Sequence, residues 1–213
     1  MIRVKRSAPP SILKKKAEDW LRALLDARTK AESDLARNRY RHGEVKKALI
    51  ALFHGKCAYC ESKITHVDCG HIEHYRPKSG WKDLTFDWSN LLLACGICNG
   101  AGHKGNRFPE SDEDGPIVNP CEDEPLDHFK FDFDQEAMVA SVYGTSKRGK
   151  VTESVLGLNR SDLRVHRSLF VKRLIVIAEF AKTNAAASEL LKECVENKAE
   201  YAAFARALIA GKR

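Results

Sequence analysis

Residues 57–106, CAYCESKITHVDCGHIEHYRPKSGWKDLTFDWSNLLLACGICNGAGHKGN, decide the fold of this 213-residue chain. They contain two Cys-x-x-Cys knuckles, Cys57/Cys60 and Cys95/Cys98, separated by 34 residues. Two such knuckles supply the four soft ligands of a closed tetrahedral zinc site. Disulfides are the alternative, but the first residues, MIRVKRSAPP, lack the apolar segment of a secretory signal, so we expect a reducing compartment. The sequence therefore predicts a structural zinc site.

The segment between the knuckles is longer than in a simple zinc ribbon, and it carries the residues of a second site. Glu73 and His74 end a short alternation of polar and apolar residues, which indicates a strand, and Asn90 leads into the apolar run LLLAC. Neighbours on an ideal strand point to opposite faces, so Glu73 and His74 can reach one ion only where the strand twists or ends. Asn99 and His103 share a helix face if a helix begins at about Asn99. Glu73, Asn99 and His103 could then hold one divalent ion beside His74.

The order of these residues resembles that of the HNH, or ββα-metal, nucleases, in which a β-hairpin carries the catalytic histidine and a helix adds the last metal ligand. The segments CAYCES, IEHYRPKS, WSNLLLACGICN and GHKGNRFP are similar to those of PtuB-like HNH subunits. Such subunits occur beside an ATPase in Septu-type and some retron-linked anti-phage defence systems. The likeness continues through PIVNPCEDEPLDHFKF and the LGLN segment at residues 156–159, so it covers most of the chain.

The resemblance implies a role for each residue of the second site. His74 becomes the general base, Asn90 the structural asparagine that ties the loop, and Glu73, Asn99 and His103 the ligands of a catalytic Mg²⁺ or Mn²⁺. Many HNH enzymes have Asp or His at the position of Glu73, and His is common at the position of Asn99. The implied reaction is phosphodiester hydrolysis that leaves a 5′-phosphate and a 3′-hydroxyl. The four knuckle cysteines become the structural zinc ligands.

The charge of the chain fits a polyanionic partner. Lys and Arg total 36 against 29 Asp and Glu, a net charge of +7. Nucleic acid is the usual partner of such a chain, although a merely soluble basic protein can have the same composition. Five cationic residues near the second site are candidate phosphate contacts: Arg76, Lys78, Lys82, Lys104 and Arg107. A cationic rim with no substrate role is the alternative, and we favour phosphate binding because cleavage needs the substrate's charge neutralised.

Outside this stretch the patterns are mostly helical, so the predicted fold class is α+β and mostly helical, with a ββα-metal HNH core and flanking helices. We divide the chain into an N-terminal helical segment, a nuclease core, an extended connector and a C-terminal helical segment, at residues 1–54, 55–110, 111–150 and 151–213. The predicted helices cover residues 11–35, 43–53, 151–158, 159–180 with Asn159 as the N-cap, and 186–210. A hairpin is expected from about Phe129 to Tyr143.

Several residues near the core favour a structural interpretation. We expect Cys69 to be a buried thiol and His71 to support the site without binding the ion. The basic cluster Arg37, Arg39 and Arg41 could contact phosphates, but such clusters are more often a solvated helix face. The arginines of the 159–180 helix fit two interpretations about equally well: contact with nucleic acid, or a solvent-exposed helix surface with no binding role.

Three functions fit the sequence. The first is a metal-dependent endonuclease, with DNA favoured as substrate; the second is an RNA- or tRNA-cleaving toxin-like effector of the same fold; the third is a non-catalytic zinc-ribbon module that binds nucleic acid. The third gives no reason for Glu73-His74, Asn90, Asn99 and His103 to occur together. No apolar run approaches 18 residues, so we expect no membrane span and a cytoplasmic protein. The resemblance adds a PtuA-like ATPase partner, for which the terminal helices are expected to form a docking surface.

Overall fold

A computed structural model describes residues 1–210; the last three residues of the predicted C-terminal segment, 211–213, lie outside the described residues. The chain divides into two compact units. The N-terminal unit consists of Lys5–Ala58 and Lys63–Phe108, and the C-terminal unit of Met1–Val4, Tyr59–Ser62 and the residues from Pro109 onward. Within residues 1–210, no helix combines the length and apolarity needed to cross a membrane.

The N-terminal unit begins with three α-helices and one 3₁₀-helix. Their bounds are α1 Ser11–Leu25, α2 Lys30–Arg37, the 3₁₀-helix Asn38–Arg41 and α3 Gly43–Leu52. The prediction of one helix over residues 11–35 is wrong, because a capping box starts a second helix inside that range. The Thr29 hydroxyl accepts a hydrogen bond from the Glu32 amide at 3.2 Å, and the Glu32 carboxylate accepts one from the Thr29 amide at 3.1 Å.

A short antiparallel hairpin forms the centre of this unit. Strand β1, His71–His74, pairs with β2, Leu91–Ala94, so that Glu73 lies opposite Leu92 and His74 opposite Leu91. All four residues of β2 are fully buried, as expected for the run LLLA, and α3 packs against this strand. Helix α4, Gly96–Asn99, follows β2 directly. The order β1, β2, α4 confirms the predicted ββα arrangement.

The helix predicted to begin at about Asn99 instead begins at Gly96 and ends at Asn99. The following residues, GAGHKGN at 100–106, form turns and bends. Three glycines in seven residues explain the early end, since glycine loses more backbone entropy in a helix than any other residue. Gly105 also has a positive φ of 46°, which no helix allows. Asn99 and His103 therefore do not share a helix face.

The segment before α1 is tied to the loop that precedes β2. The Arg6 guanidinium donates to the carbonyls of Trp88 and Leu91 at 2.6 and 2.9 Å. The Trp88 indole donates to the Ser7 carbonyl at 2.8 Å. Trp88 is 6% exposed and therefore belongs to the core of this unit. This N-terminal strap, residues 6–7, therefore belongs to the same folded body as the hairpin.

In the part of the C-terminal unit that the structure describes, there are a second hairpin and four α-helices, besides two short 3₁₀-helices at Ser111–Glu113 and Pro125–Asp127. Its strands are β3 Phe129–Asp134 and β4 Val139–Gly144, which confirms the predicted hairpin, and its helices are α5 Lys147–Leu156, α6 Ser161–Phe180, α7 Ala185–Cys194 and α8 Ala202–Ala210. The single predicted helix over 186–210 is wrong, since it is divided into α7 and α8 by a segment in which Tyr201 has a φ of 48°.

Two further expectations for this unit change. Asn159 does not cap α6, whose N-cap is Arg160. The Asn159 side chain instead pairs with β4, accepting from the Val142 amide at 3.0 Å and donating to the Val142 carbonyl at 2.6 Å. Arg167 is 1% exposed and donates to the Leu158 carbonyl at 2.7 Å, so its guanidinium supports the core and cannot reach nucleic acid.

Candidate active site

A cleft of about 680 Å³ lies beside β1 in the N-terminal unit. Every residue of β1 lines it, including both Glu73 and His74, and Asn99 enters from the end of α4. The other polar residues that line it come from the N-terminal helices and three loops: Tyr40, Arg41, Lys46, Cys69, Lys78 and Asn106. The strand ends at His74, which lets these two neighbouring side chains reach the same space. The structure thus brings together the predicted base His74 and two of the three predicted ligands, Glu73 and Asn99.

His74 is oriented by a backbone carbonyl. Its Nε2 lies 3.0 Å from the Thr85 oxygen, and the residue is 4% exposed. A carbonyl can only accept, so Nε2 carries the ring proton and Nδ1 is the basic nitrogen of a neutral imidazole. Burial lowers the pKa of His74 to about 4, against a partial opposing effect of the Thr85 carbonyl; the positive charges of Lys78 and Lys104 lower it further. The ring is therefore neutral at pH 7 and able to accept a proton.

This shift predicts a pH dependence of stability. The pKa of His74 is 6.5 in the unfolded chain and about 4 in the folded protein. As the pH is lowered through 6.5, the unfolded state therefore binds a proton that the folded state does not, and the free energy of unfolding decreases. Between pH 7 and pH 5 we expect a loss of about 2 kcal/mol from this group. The measurement is urea unfolding of wild type and His74→Gln at both pH values. Because other groups contribute equally to the pH dependence of both proteins, only the difference between wild type and His74→Gln reports on His74; equal losses would contradict the shift.

Glu73 and Lys104 form a buried ion pair beside His74. They are 4% and 0% exposed, and the Lys104 ammonium contacts Glu73 Oε1 and donates to the His74 carbonyl at 2.9 Å. Burial raises the pKa of Glu73 and lowers that of Lys104, while the attraction between the two opposes both shifts. Breaking such a pair leaves an uncompensated buried charge, a cost of about 3–5 kcal/mol. Lys104, one of the five candidate phosphate contacts, is thus enclosed in the protein and holds Glu73 and the end of β1.

Asn90 fastens both ends of the loop at residues 75–90. Its side-chain oxygen accepts from the Arg76 amide at 2.7 Å, and its nitrogen donates to the carbonyls of Arg76 and Leu84 at 3.0 and 3.2 Å. The residue is 4% exposed. The same loop carries the Thr85 carbonyl that orients His74, so Asn90 lies where a loop-tying asparagine is expected.

The remaining predicted ligands and neighbours occupy different positions. Asn99 is half-buried at the cleft, whereas His103 is half-buried but is not among the described residues that line it. Cys69 is exposed, so the expectation of a buried thiol is wrong; the loop that carries it, residues 66–70, is largely open to solvent. His71 also lines the cleft, with Nε2 3.9 Å from an Asp68 oxygen and a half-exposed side chain.

The predicted phosphate contacts are dispersed. Of the five, only Lys78 is among the described residues that line the cleft. The Arg76 guanidinium lies 5.7 Å from the Trp81 ring centre and 5.0 Å from that of Phe108, and Lys82 and Arg107 are exposed elsewhere on the unit.

Two cations at the cleft come from the N-terminal helices and are not among the predicted site residues: Arg41 and Lys46. Arg41 belongs to a basic cluster that is visible in the sequence. The sequence does not show which way that cluster faces, because the packing of the preceding helices sets its direction.

A second candidate site is formed by the knuckle cysteines. The sulfurs of Cys57, Cys60, Cys95 and Cys98 lie within 4.8 Å of one another, and none of the four cysteines forms a disulfide. Four thiolates about 2.3 Å from one tetrahedral ion are about 3.8 Å apart, so the cluster fits such an ion with little movement. The amide of Cys98 donates to Cys95 Sγ at 3.4 Å, which orients the second knuckle. The donor set is that of a closed, structural metal site.

Comparisons with known proteins agree with this geometry. The family described as HNH endonuclease matches residues 57–105. The Septu protein PtuB of Bacillus mycoides (strain KBAB4) is 31% identical over 203 residues, covering 81% of this chain and 68% of the relative. PtuB of Bacillus thuringiensis is also 31% identical, over 70% of this chain and 57% of the relative. The Septu protein PtuA of Bacillus mycoides is 33% identical over 146 residues, which cover 56% of this chain and 20% of that protein. The motif, its ββα setting and these relatives together show that the chain is a nuclease of the PtuB-like HNH endonuclease family.

Proposed function

We propose that the chain is a metal-dependent endonuclease that hydrolyses phosphodiester bonds of DNA, with His74 as its general base. The observation that carries the proposal is the hydrogen bond between His74 Nε2 and the Thr85 carbonyl. It leaves Nδ1 as a proton acceptor on a ring that lines the cleft, and the lowered pKa keeps that ring neutral. A positioned, neutral histidine is the commonest general base in enzymes.

The proposed divalent ion is held by oxygen atoms of Glu73 and Asn99. A carboxylate and an amide oxygen are hard ligands, which suit Mg²⁺ or Mn²⁺ with water completing the shell. Glu73 Oε1 is buried and accepts no hydrogen bond of good geometry, although the Lys104 ammonium is in contact with it. This donor set fits a divalent ion. When bound, the ion would supply charge stabilisation at the phosphate and at the departing 3′-oxygen.

The protein's own residues supply the remaining chemistry. His74 Nδ1 takes a proton from the attacking water, and the Thr85 carbonyl holds the ring in the required orientation. Asn90 acts indirectly, because it fixes the loop that carries Thr85. Lys104 holds the carboxylate of Glu73 and, through the His74 carbonyl, the end of β1. The expected products carry a 5′-phosphate and a 3′-hydroxyl.

The proposed ion at the knuckles is Zn²⁺ in a structural role. A set of four thiolates favours zinc over magnesium or manganese, which prefer oxygen. The first knuckle is joined to β2 by the hydrogen bond from the Ala58 amide to the Leu93 carbonyl at 2.8 Å, and the second follows β2 directly. The ion would therefore hold the hairpin that carries Glu73 and His74.

The test is cleavage of matched DNA and RNA strands by purified protein with EDTA, Mg²⁺ or Mn²⁺. We expect DNA cleavage that needs the added ion, and a loss of about 10²-fold or more in Asn99→Ala. His103→Ala tests the other predicted ligand that follows β2. Because His103 is not among the described residues that line the cleft, we expect a smaller loss of activity than for Asn99→Ala. Cleavage of RNA alone would replace DNA by RNA as the substrate. A folded, metal-loaded protein that cuts neither strand would leave only a nucleic-acid-binding module.

We further propose that the chain acts in anti-phage defence in the cytoplasm, with a PtuA-like ATPase as its partner. The similarity to Septu proteins supports this role. Helix α6 presents four large apolar side chains to solvent, a pattern typical of protein interaction surfaces. These residues, with exposures of 47–63%, are Val165, Leu169, Val176 and Phe180. We propose this α6 face as the docking surface.

Paired serine substitutions test the docking surface. Val176→Ser with Phe180→Ser is expected to lower co-purification with the PtuA-like ATPase at least tenfold, because it removes apolar area that binding would bury. Leu35→Ser is the matched control, since Leu35 is 71% exposed on α2. Point variants are preferable to deletion of residues 160–213, which would remove the buried Leu174 and Phe204 from the core of the C-terminal unit. Undiminished binding by the double variant would exclude this face.

A further inference from the structure

Tyr40 lines the cleft and contacts several of its other residues, although it lies outside residues 57–105, which match the HNH family. It belongs to the 3₁₀-helix Asn38–Arg41 and is 5% exposed. Its ring meets the His74 ring edge-on, with centroids 4.6 Å apart. Its hydroxyl accepts a hydrogen bond from Arg41 Nε at 3.2 Å. One tyrosine therefore contacts both the proposed base and a cation of the cleft.

A second cation is placed on the same ring. The Lys78 ammonium lies 5.2 Å from the centre of the Tyr40 ring, and the Arg41 guanidinium carbon lies 5.7 Å from it. Both distances are within the range of cation–π attraction. Within residues 1–210, neither Arg41 nor Lys78 has a carboxylate at ion-pair distance, although the Lys78 charge interacts with that of Glu73 over a longer distance. Two cations that line the cleft, one exposed and one half-buried, are therefore available to bind an anion from solution.

Lys46, the third cation of the cleft, has a different role. Its ammonium donates to the Gly70 carbonyl and so fastens the loop before β1. It is therefore left out of the anion-binding pair.

We propose that Tyr40 is a positioning residue that braces the His74 ring and sets Arg41 and Lys78 to bind backbone phosphates of the substrate. The inference rests on the proposed nuclease function and adds the residues that hold the substrate in it. The planar fork of an arginine donates two parallel hydrogen bonds to a phosphate, while a lysine acts as a point charge. The aromatic ring fixes where both charges lie before the substrate arrives, which reduces the entropy lost on binding.

The test separates substrate binding from turnover. Arg41→Met and Lys78→Met remove one cation each, and Lys15→Met is the matched control, an exposed lysine on α1 away from the cleft. The probe is a 30-base-pair DNA duplex, or an RNA strand of equal length if the wild type cuts only RNA. We expect each cleft variant to raise KM about tenfold with kcat within twofold, and to lower the slope of log binding constant against log salt by about 0.9 for the duplex, or 0.7 for a single strand. Lys15→Met should change KM less than twofold.

Two substitutions isolate Tyr40. Tyr40→Phe keeps the ring and loses only the bond to Arg41, so we expect a rise in KM of about threefold with unchanged kcat. Tyr40→Leu removes the ring beside His74, so kcat should fall as well. Thermal unfolding checks that Tyr40→Leu is folded, and if it is not, Tyr40→Phe still decides the point, because a merely structural hydroxyl would leave KM unchanged.

The outcomes distinguish this inference from the function on which it rests. If wild type cleaves and Arg41→Met and Lys78→Met behave like Lys15→Met, the phosphate contacts are wrong and the nuclease proposal stands. If wild type cuts neither nucleic acid with any divalent ion, the nuclease proposal fails. In that case the dissociation constants of the same variants test the two cations, and values equal to that of Lys15→Met would overturn the inference too.

Discussion

His74→Ala is expected to lower the cleavage rate about 10²–10⁴-fold while the metal content of the knuckles stays unchanged. The loss follows because no other described side chain presents a neutral, carbonyl-oriented imidazole to the cleft, and general base catalysis contributes about that much. The knuckles lose no ligand. The measurements are kcat/KM on the substrate cleaved by wild type and elemental analysis of the purified protein.

His71→Ala is the matched control for this variant. His71 lines the same cleft from the other end of β1, but its side chain is half-exposed and it is not held by a backbone carbonyl in the way that His74 is. We expect it to keep most of the activity. Near wild-type cleavage by His74→Ala together with a large loss in His71→Ala would move the base to His71.

Cys57→Ser or Cys98→Ser should cost metal and solubility together. These residues are 1% and 0% exposed, and their sulfurs belong to the four-thiolate cluster. Structural zinc contributes on the order of 10 kcal/mol to the folding of small modules, which is comparable to the whole unfolding free energy of a typical domain. Zinc content, soluble yield and circular dichroism measure the effect.

Cys194→Ser serves as the control, because this half-buried cysteine lies outside the cluster. It should keep normal zinc content and yield. A Cys98→Ser protein that is folded, soluble and free of metal would show that the cluster does not hold the fold together.

The hairpin, its buried strand and the cysteine cluster could be predicted because each depends on short-range spacing. The run LLLAC must be buried, and two Cys-x-x-Cys knuckles have few other uses. Glu73, His74 and Asn90 also keep their expected neighbourhood, since the strand pairing places the first two at one end of the hairpin. These features need little information from the rest of the chain.

The surroundings of the site could not be predicted in the same way. Lys104 and Lys78 look alike in sequence, yet one is fully buried against Glu73 and the other lies at the cleft. Which of them is enclosed depends on how the turns at residues 100–106 return the chain beneath β1. The direction of Arg41 depends on the end of α1 at Leu25 and on the capping box at Thr29 that starts α2, because together they redirect the residues that follow. Patterns of helix and strand propensity do not predict which way such side chains face, because tertiary packing decides it.

The N-terminal strap has a consequence for how this nuclease could be exchanged between proteins. Gene fusion or laboratory grafting guided by the recognisable HNH motif would cut the chain near Cys57. Such a transplant would lose Arg6 and Ser7, whose hydrogen bonds hold Trp88 and Leu91. It would also lose α3, which packs against β2, and Tyr40, whose ring contacts that of His74. The segment that would have to be transferred therefore begins near Lys5 and ends near Phe108, and it is about twice as long as the HNH motif at residues 57–105.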